Sequence, residues 1–478
     1  MEEKLSSGIS GLDDILYGGF LPRKTYLIRG GPGCGKTTLG VHFLLAGRNR
    51  GENVLFITLG EPEPEIRKNF ASLKLNLDGV HFLDLAPTPE YFVEVESYDI
   101  FSPAEVELEP TTRKIVNTVK ELQPRRIFVD SMTQFRYLAS DSFQYRKQIL
   151  SFLRFLLQEG ATVLFSSEGS EEAPDFDLQF LADGVINMEQ DGDESYLQVT
   201  KLRGSPFRPG RHAYRIGPGG VQVFAVLVPE EHRQAFAAEK IQTGLPEIDT
   251  MLEGGIERGT VTIISGPSGI GKTLLALQFL RHAAASGLRS VFYTFEEDPE
   301  VLKTRARKLN MDLEPLLQKG LLDIVYIQPL QYYPDEFACR LREDIERQET
   351  RMVVLDSISG YRLAIRGEKL DRHLYNLCRY FRNMGVTALM VDEVPEVTGT
   401  FHVTSEQFSY LGDNLIFLRF IELDGELRRA IGILKKRLSD FEHTLREFSI
   451  TPQGIRVEEP LKGLHGILSG IPKMEKRR

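Results

Sequence analysis

Two stretches decide how this sequence is read: Gly30-Gly31-Pro32-Gly33-Cys34-Gly35-Lys36-Thr37 and Gly266-Pro267-Ser268-Gly269-Ile270-Gly271-Lys272-Thr273. Both satisfy G-x-x-x-x-G-K-[ST] at every fixed position. Glycines at this spacing let backbone N–H groups turn inward around a phosphate. The lysine adds a point charge, and the threonine hydroxyl is suited to ligate Mg²⁺. An apolar, β-rich run precedes each loop (Thr25 to Ile28; Val261 to Ile264), and a helical apolar pattern follows it (Leu39, Phe43, Leu44; Leu275, Leu277, Phe279). Strand, loop and helix come in the order that phosphate binding requires, the helix N-terminus adding partial positive charge. The candidate nucleotide contacts are Gly31, Gly33, Cys34, Gly35, Lys36, Thr37 and Thr38 in the first copy. In the second they are Ser268, Gly269, Ile270, Gly271, Lys272, Thr273 and Leu274.

The loops are the best-matched part of a longer duplication. Lys4-Leu5-Ser6-Ser7-Gly8-Ile9-Ser10-Gly11-Leu12-Asp13 parallels Lys240-Ile241-Gln242-Thr243-Gly244-Leu245-Pro246-Glu247-Ile248-Asp249. A second strand follows each loop helix (Val54 to Thr58; Val291 to Phe295) and ends in acid: Glu61 in one half, Glu296 and Glu297 in the other. Further on, Arg126-Ile127-Phe128-Val129-Asp130 and Met352-Val353-Val354-Leu355-Asp356 are apolar runs closing on aspartate. Such runs read as strands buried on both faces of a parallel sheet, with the aspartate at the rim where ligands bind. There Asp130 and Asp356 are expected to hold Mg²⁺ through water, with Thr37 and Thr273 as its loop ligands. The last matched feature is a hairpin turning at Asp191-Gly192 and at Asp424-Gly425, whose outgoing strand carries Lys201-Leu202-Arg203 or Lys435-Lys436-Arg437. Residues two apart on a strand face one way, so each Lys-x-Arg pair is expected to cover a phosphate, including one held by a neighbouring subunit.

At 478 residues, with 41% hydrophobic side chains, the chain fits two soluble globular domains, 1–232 and 233–478. The boundary falls in the polar, Ala-rich stretch that begins at Pro229-Glu230-Glu231-His232. No apolar run reaches the length of a membrane span and the start is not a signal peptide, so the expected location is cytoplasmic, away from membranes. Cys34, Cys339 and Cys378 form no C-x-x-C pair, which excludes a zinc ribbon or disulfide framework. A net charge of −10 argues against nucleic acid as the main partner.

Taken together, these residues resemble the KaiC family, the two-domain RecA-like ATPases of the bacterial clock. The resemblance covers nearly the whole chain and implies an α/β fold of two tandem RecA-like P-loop domains, each a mostly parallel sheet flanked by helices. It further implies a homo-hexamer with ATP at subunit interfaces, ATP and Mg²⁺ as cofactors, and a signalling protein as partner. Lys36 and Lys272 would contact phosphates; Lys201, Arg203, Lys435 and Arg437 would reach ATP on the adjacent subunit, with Arg429 assisting. Glu296 and Glu297 match the family's catalytic acidic pair, whereas the first half has Gly60 in place of one glutamate and keeps Glu61. Hydrolysis is therefore expected chiefly in the second domain. The family's adjacent phosphoacceptors align with Ser409-Tyr410, making Ser409 the candidate for autophosphorylation. Phe207 and Phe441 stand where the family has histidine. The competing class is a RecA-type DNA recombinase or helicase motor, which uses the same nucleotide chemistry; a nucleotide-gated signalling scaffold is a third.

Overall fold

A computed structural model describes residues 3–86, 103–137, 142–168, 175–365, 370–395, 408–423, 425–461, 464–465 and 473–474. The chain divides into two compact units, Met1–Val226 and Leu227–Arg478. The crossing segment is tied to the second unit. Leu227 is buried in its core, Asn383 Nδ2 donates to the Pro229 carbonyl at 2.7 Å, and Arg379 pairs with Glu230 at 2.7 Å.

The first unit is built on nine strands: β1 Thr25–Gly30, β2 Val54–Thr58, β3 His81–Asp84, β4 Arg126–Asp130, β5 Thr162–Ser167, β6 Gly184–Asp191, β7 Glu194–Leu202, β8 His212–Gly217 and β9 Gly220–Phe224. The second opens with a short ribbon, β10 Lys240–Ile241 and β11 Ile256–Glu257. Its own nine strands follow: β12 Val261–Gly266, β13 Ser290–Thr294, β14 Leu322–Tyr326, β15 Met352–Asp356, β16 Thr387–Glu393, β17 Asn414–Leu423, β18 Glu426–Lys436, β19 Arg446–Thr451 and β20 Gly454–Pro460. The strand orders are β3-β2-β4-β5-β1-β6-β7-β8-β9 and β14-β13-β15-β16-β12-β17-β18-β19-β20, one topology used twice. The strands up to and including β6 or β17 pair in parallel; the last four of each sheet form antiparallel hairpins.

The parallel strands are buried because both sheet faces are covered. Tyr26 and Ile28 of β1 pack into one apolar cluster and Leu27 into another; Phe56 and Leu55 of β2 divide the same way. That alternation is the period of a strand with a core on each side. The helices Lys36–Arg48 and Lys272–Ala285 lie directly beneath their sheets, and most of their residues are buried. Among the described residues, no helix is long and apolar enough to cross a membrane.

The hairpins form where the sequence places them, β6 to β7 and β17 to β18, with Gly192 and Gly425 at positive φ in the turns. Asp424 lies outside the described residues. One detail differs from the sequence reading: the outgoing strands end at Leu202 and Lys436, so Arg203 and Arg437 stand just past them. Lys436, between the two candidate cations, turns inward and pairs with Glu257 at 2.8 Å.

Candidate functional site

Each phosphate loop leaves the C-terminal end of its sheet's first strand. Gly35 and Gly271 cap the following helices in the left-handed region, at φ +92° and +115°, where a side chain is strained. A Cβ there would also strike Ile216 or Ile450. The conformation turns the loop back over the helix N-terminus, the geometry that collects N–H groups for an anion. Tyr214 donates to the Cys34 carbonyl at 2.8 Å, fixing the first loop from behind. Cys34 itself is buried, and burial pushes its thiol above the ordinary value, so its backbone is what it offers a ligand.

The lysines are poised differently. Lys36 Nζ donates to the carbonyls of Gly30 and Gly31 at 2.9 and 2.8 Å. Lys272 Nζ donates to the Pro267 carbonyl at 2.8 Å and lies 3.7 Å from Glu393, a half-exposed carboxylate at the end of β16, which pairs with β12. Glu393 was not singled out by the sequence; the signal was a third strand end carrying acid, matched in the first half by Glu168.

The buried strands deliver their aspartates beside the loop threonines. Thr37 Oγ1 donates to Asp130 Oδ2 at 2.6 Å, and the Ser166 hydroxyl, on the strand between, donates to Asp130 Oδ1. Thr273 bonds Asp356 in the same way. Burial holds the Asp130 carboxyl above the usual range and pushes Asp356 up to about 7, neighbouring Glu296 and Glu297 adding to the latter. A buried acid with so few compensating cations is suited to a divalent ion.

In the second unit the parts line a cleft of about 270 Å³, among them Lys272, Thr273, Glu296, Glu297, Asp356 and Glu393. The two adjacent glutamates are held differently. Glu297 is fixed by Arg305, whose Nη1 donates to both carboxylate oxygens at 2.7 and 2.6 Å. Glu296 accepts from the Ser357 hydroxyl at 2.6 Å and remains open to the cleft. In the first unit Glu61 occupies the place of Glu297, each having its carbonyl bonded by a threonine hydroxyl, from Thr58 and Thr294. Neutral Asn69 stands in for Arg305, donating to Glu61 at 2.5 Å. Burial, with Glu65 and Asp130 nearby, raises the Glu61 carboxyl. Gly60 takes the place of Glu296, so the acid left open in the second site has no counterpart in the first.

The Lys-x-Arg pairs lie away from their own loops. Lys201 is opposite Val185, and Arg203 N donates to Asp183, whose own N donates to Thr25 at the start of β1. Thr25 is five residues, about 17 Å, from the end of β1 where the loop begins. Arg203 is thus anchored at the end of β1 opposite its own phosphate loop. In the second unit Lys435 Nζ donates to the carbonyls of Ser409 and Gly412 at 2.8 and 2.7 Å, and Arg437 lies 3.6 Å from Asp413. Exposed Ser409, in the turn Phe408–Tyr410, shares that rim. Arg429 does not join them. It sits near the other end of β18 beside Phe420, six residues from Lys435. Phe207 and Phe441 pack against their own cores.

This arrangement can hold a magnesium–nucleoside triphosphate and present one carboxylate to its terminal phosphate. Known proteins of similar sequence also point to a nucleotide. The family model "ATPase: KaiC" matches residues 5–227 and again residues 241–462. Circadian clock protein KaiC3 of Synechocystis is 28% identical over 484 residues, covering 98% of this chain and 94% of that protein. Circadian clock oscillator protein KaiC of Synechococcus elongatus is 26% identical over 484 residues, covering 98% and 92%. The protein of the same name from Parasynechococcus marenigrum is 25% identical over 485 residues, covering 98% and 93%. Matched twice along its length, with the same sheet built in both halves, the chain belongs to the KaiC family of ATPases.

Proposed function

We propose that the protein is an ATP-hydrolysing ring, a hexamer as its family resemblance implies, whose turnover is centred on the second unit and whose nucleotide state is read by a signalling partner in timekeeping or a related process. The observation that carries this reading is Glu296, open in the cleft with Ser357 behind it while Arg305 neutralises its neighbour. Lys272 and the N–H groups of Gly269 to Leu274 bind the phosphates; Thr273 and Asp356 would hold Mg²⁺, which would supply charge neutralisation at the triphosphate. Glu296 takes a proton from water as the water oxygen bonds to the γ-phosphorus. The bond from that phosphorus to the bridging oxygen breaks, and its electron pair leaves on ADP. Lys435 and Arg437, from an adjacent chain, stabilise the charge that develops.

Ser409 is the proposed phosphoacceptor. It lies at the rim away from its own phosphate loop, so the γ-phosphate it receives comes from a neighbour's ATP, and its hydroxyl proton passes to that neighbour's Glu296. The relatives compared are clock proteins, which leaves the DNA-motor reading without a supporting observation.

Purified protein given ATP and Mg²⁺, with released phosphate and intact chain mass followed together, tests both parts. The reading expects phosphate release that falls about 10²- to 10⁴-fold in Glu296→Gln. It also expects a mass gain, mapping to the Ser409 peptide, that Ser409→Ala abolishes. Unchanged release in Glu296→Gln would overturn the base assignment. Equal phosphate uptake in Ser409→Ala would overturn the acceptor.

A further inference from the structure

The two sites differ by an exchange across the cleft. In the second, Glu296 lies against Gly360 of the helix Ile358–Ala364, so closely that a Cβ on Gly360 would come 2.8 Å from Glu296 Oε1 and 2.8 Å from Phe295 Cβ. A side chain at 360 and the observed Glu296 carboxylate exclude each other. Counting from the matched aspartates Asp130 and Asp356 without a gap, the first-unit counterpart of Gly360 is Gln134, the first residue of the helix Gln134–Tyr137. The counterpart of Glu296 is Gly60. Among the described residues, a Cβ built on Gly60 meets a single group within 4 Å, the Gln134 Nε2 at 3.9 Å. Where the second unit has glutamate facing glycine, the first has glycine facing glutamine.

We propose that Gln134 is the side chain of the first unit that faces the terminal phosphate, and that the Gly60–Gln134 pair makes this a site that retains ATP. The proposal rests on Glu296 being the base in the second unit. A primary amide can orient a water molecule but cannot take its proton near neutral pH, so attack on the γ-phosphate lacks the general base that Glu296 supplies in the second site and is slowed accordingly. The rest of the first site is intact for binding: Lys36, Thr37, Asp130 and the left-handed Gly35 are all in place. Ser131 is the sequence counterpart of Ser357, whose hydroxyl orients Glu296. Gly60 is not in the left-handed region, so its backbone accepts glutamate.

The test reverses the exchange in the full-length chain. With the second site silenced by Glu296→Gln, acid-quenched single-turnover hydrolysis and the ATP-to-ADP ratio of nucleotide carried through purification are compared for three chains: the silenced parent, the parent with Gly60→Glu, and the parent with Gly60→Glu and Gln134→Gly. The silenced parent should retain ATP, and the double exchange should raise first-site hydrolysis by about 100-fold or more, leaving ADP. Gly60→Glu alone should give a smaller gain, because Gln134 still shares the space. A double exchange that binds ATP yet hydrolyses no faster than the silenced parent overturns the proposal. So does a silenced parent that carries ADP at Lys36. If Glu296→Gln does not slow the wild-type chain, the base reading itself has failed, an outcome the first comparison separates from the others.

Discussion

At the scale of single residues, internal duplication made much of the site legible. Lys36, Lys272, Asp130 and Asp356 are found by pattern because phosphate loops and buried acid-terminated strands are local in sequence. Gly60 was visible as a departure because the second half supplies its own standard. What could not be read were pairings between segments. Arg305 reaching back to Glu297 and Gln134 facing Gly60 are products of helix placement, and no spacing rule links 393 to 272. The Glu393–Lys272 contact carries a prediction. Phosphate must bind where Glu393 now faces the lysine, and like charges about 6 Å apart in a half-exposed cleft repel by about 1 kcal/mol. Glu393→Gln should therefore bind Mg²⁺–ADP about three- to tenfold more tightly in the second site by calorimetric titration. Glu168→Gln should change little, since Lys36 has no ion pair among the described residues. Weaker binding in Glu393→Gln would mean that this carboxylate supports the metal instead.

At the scale of elements, the sequence located strands and hairpins but not their register. Lys-x-Arg was read as two residues on one strand. The level at which each pair stands relative to its phosphate loop is set by antiparallel partners such as Val185 and Leu415. That register places the cations far from their own loop, which is the support for the intermolecular task proposed for them. The first unit's edge also holds a pH-sensitive tie. Fully buried His212, at the start of β8, accepts the Val226 N–H at 3.1 Å through Nδ1, and its Nε2 lies 3.2 Å from the Arg208 carbonyl. Burial depresses its pKa from 6.5 to about 4. As pH falls below 6.5 the unfolded chain binds a proton that the folded unit refuses until about pH 4, so stability is lost across that window. The slope from this group should approach about 1.4 kcal/mol per pH unit in the first unit's unfolding transition. Although less stable at pH 8, His212→Gln should lack that increment. An identical acid slope in both proteins would rule His212 out as its source.

At the scale of the whole molecule, the fold class followed from two loops and a repeated order of strands, and the structure reproduces one topology twice. The two halves have since diverged in chemistry. One keeps an open glutamate at its phosphate site; the other has glycine and glutamine there. A ring built from such chains would hold ATP in one set of sites while turning it over in the other. The central proposal is that each second-unit site is assembled from two chains, and it is supported by Lys435 and Arg437 standing at the rim away from their own Lys272.

The most direct test mixes two inactive proteins. One carries Lys272→Ala and has no working phosphate loop; the other carries Lys435→Ala with Arg437→Ala and has no donated cations. Each alone should hydrolyse ATP at background rate. After co-assembly at equal ratio, roughly a quarter of the second-unit interfaces should pair an intact loop with intact cations and regain activity. A mixture no more active than the average of its parents, despite mixed assemblies by native mass, would contradict a site completed by the neighbouring chain.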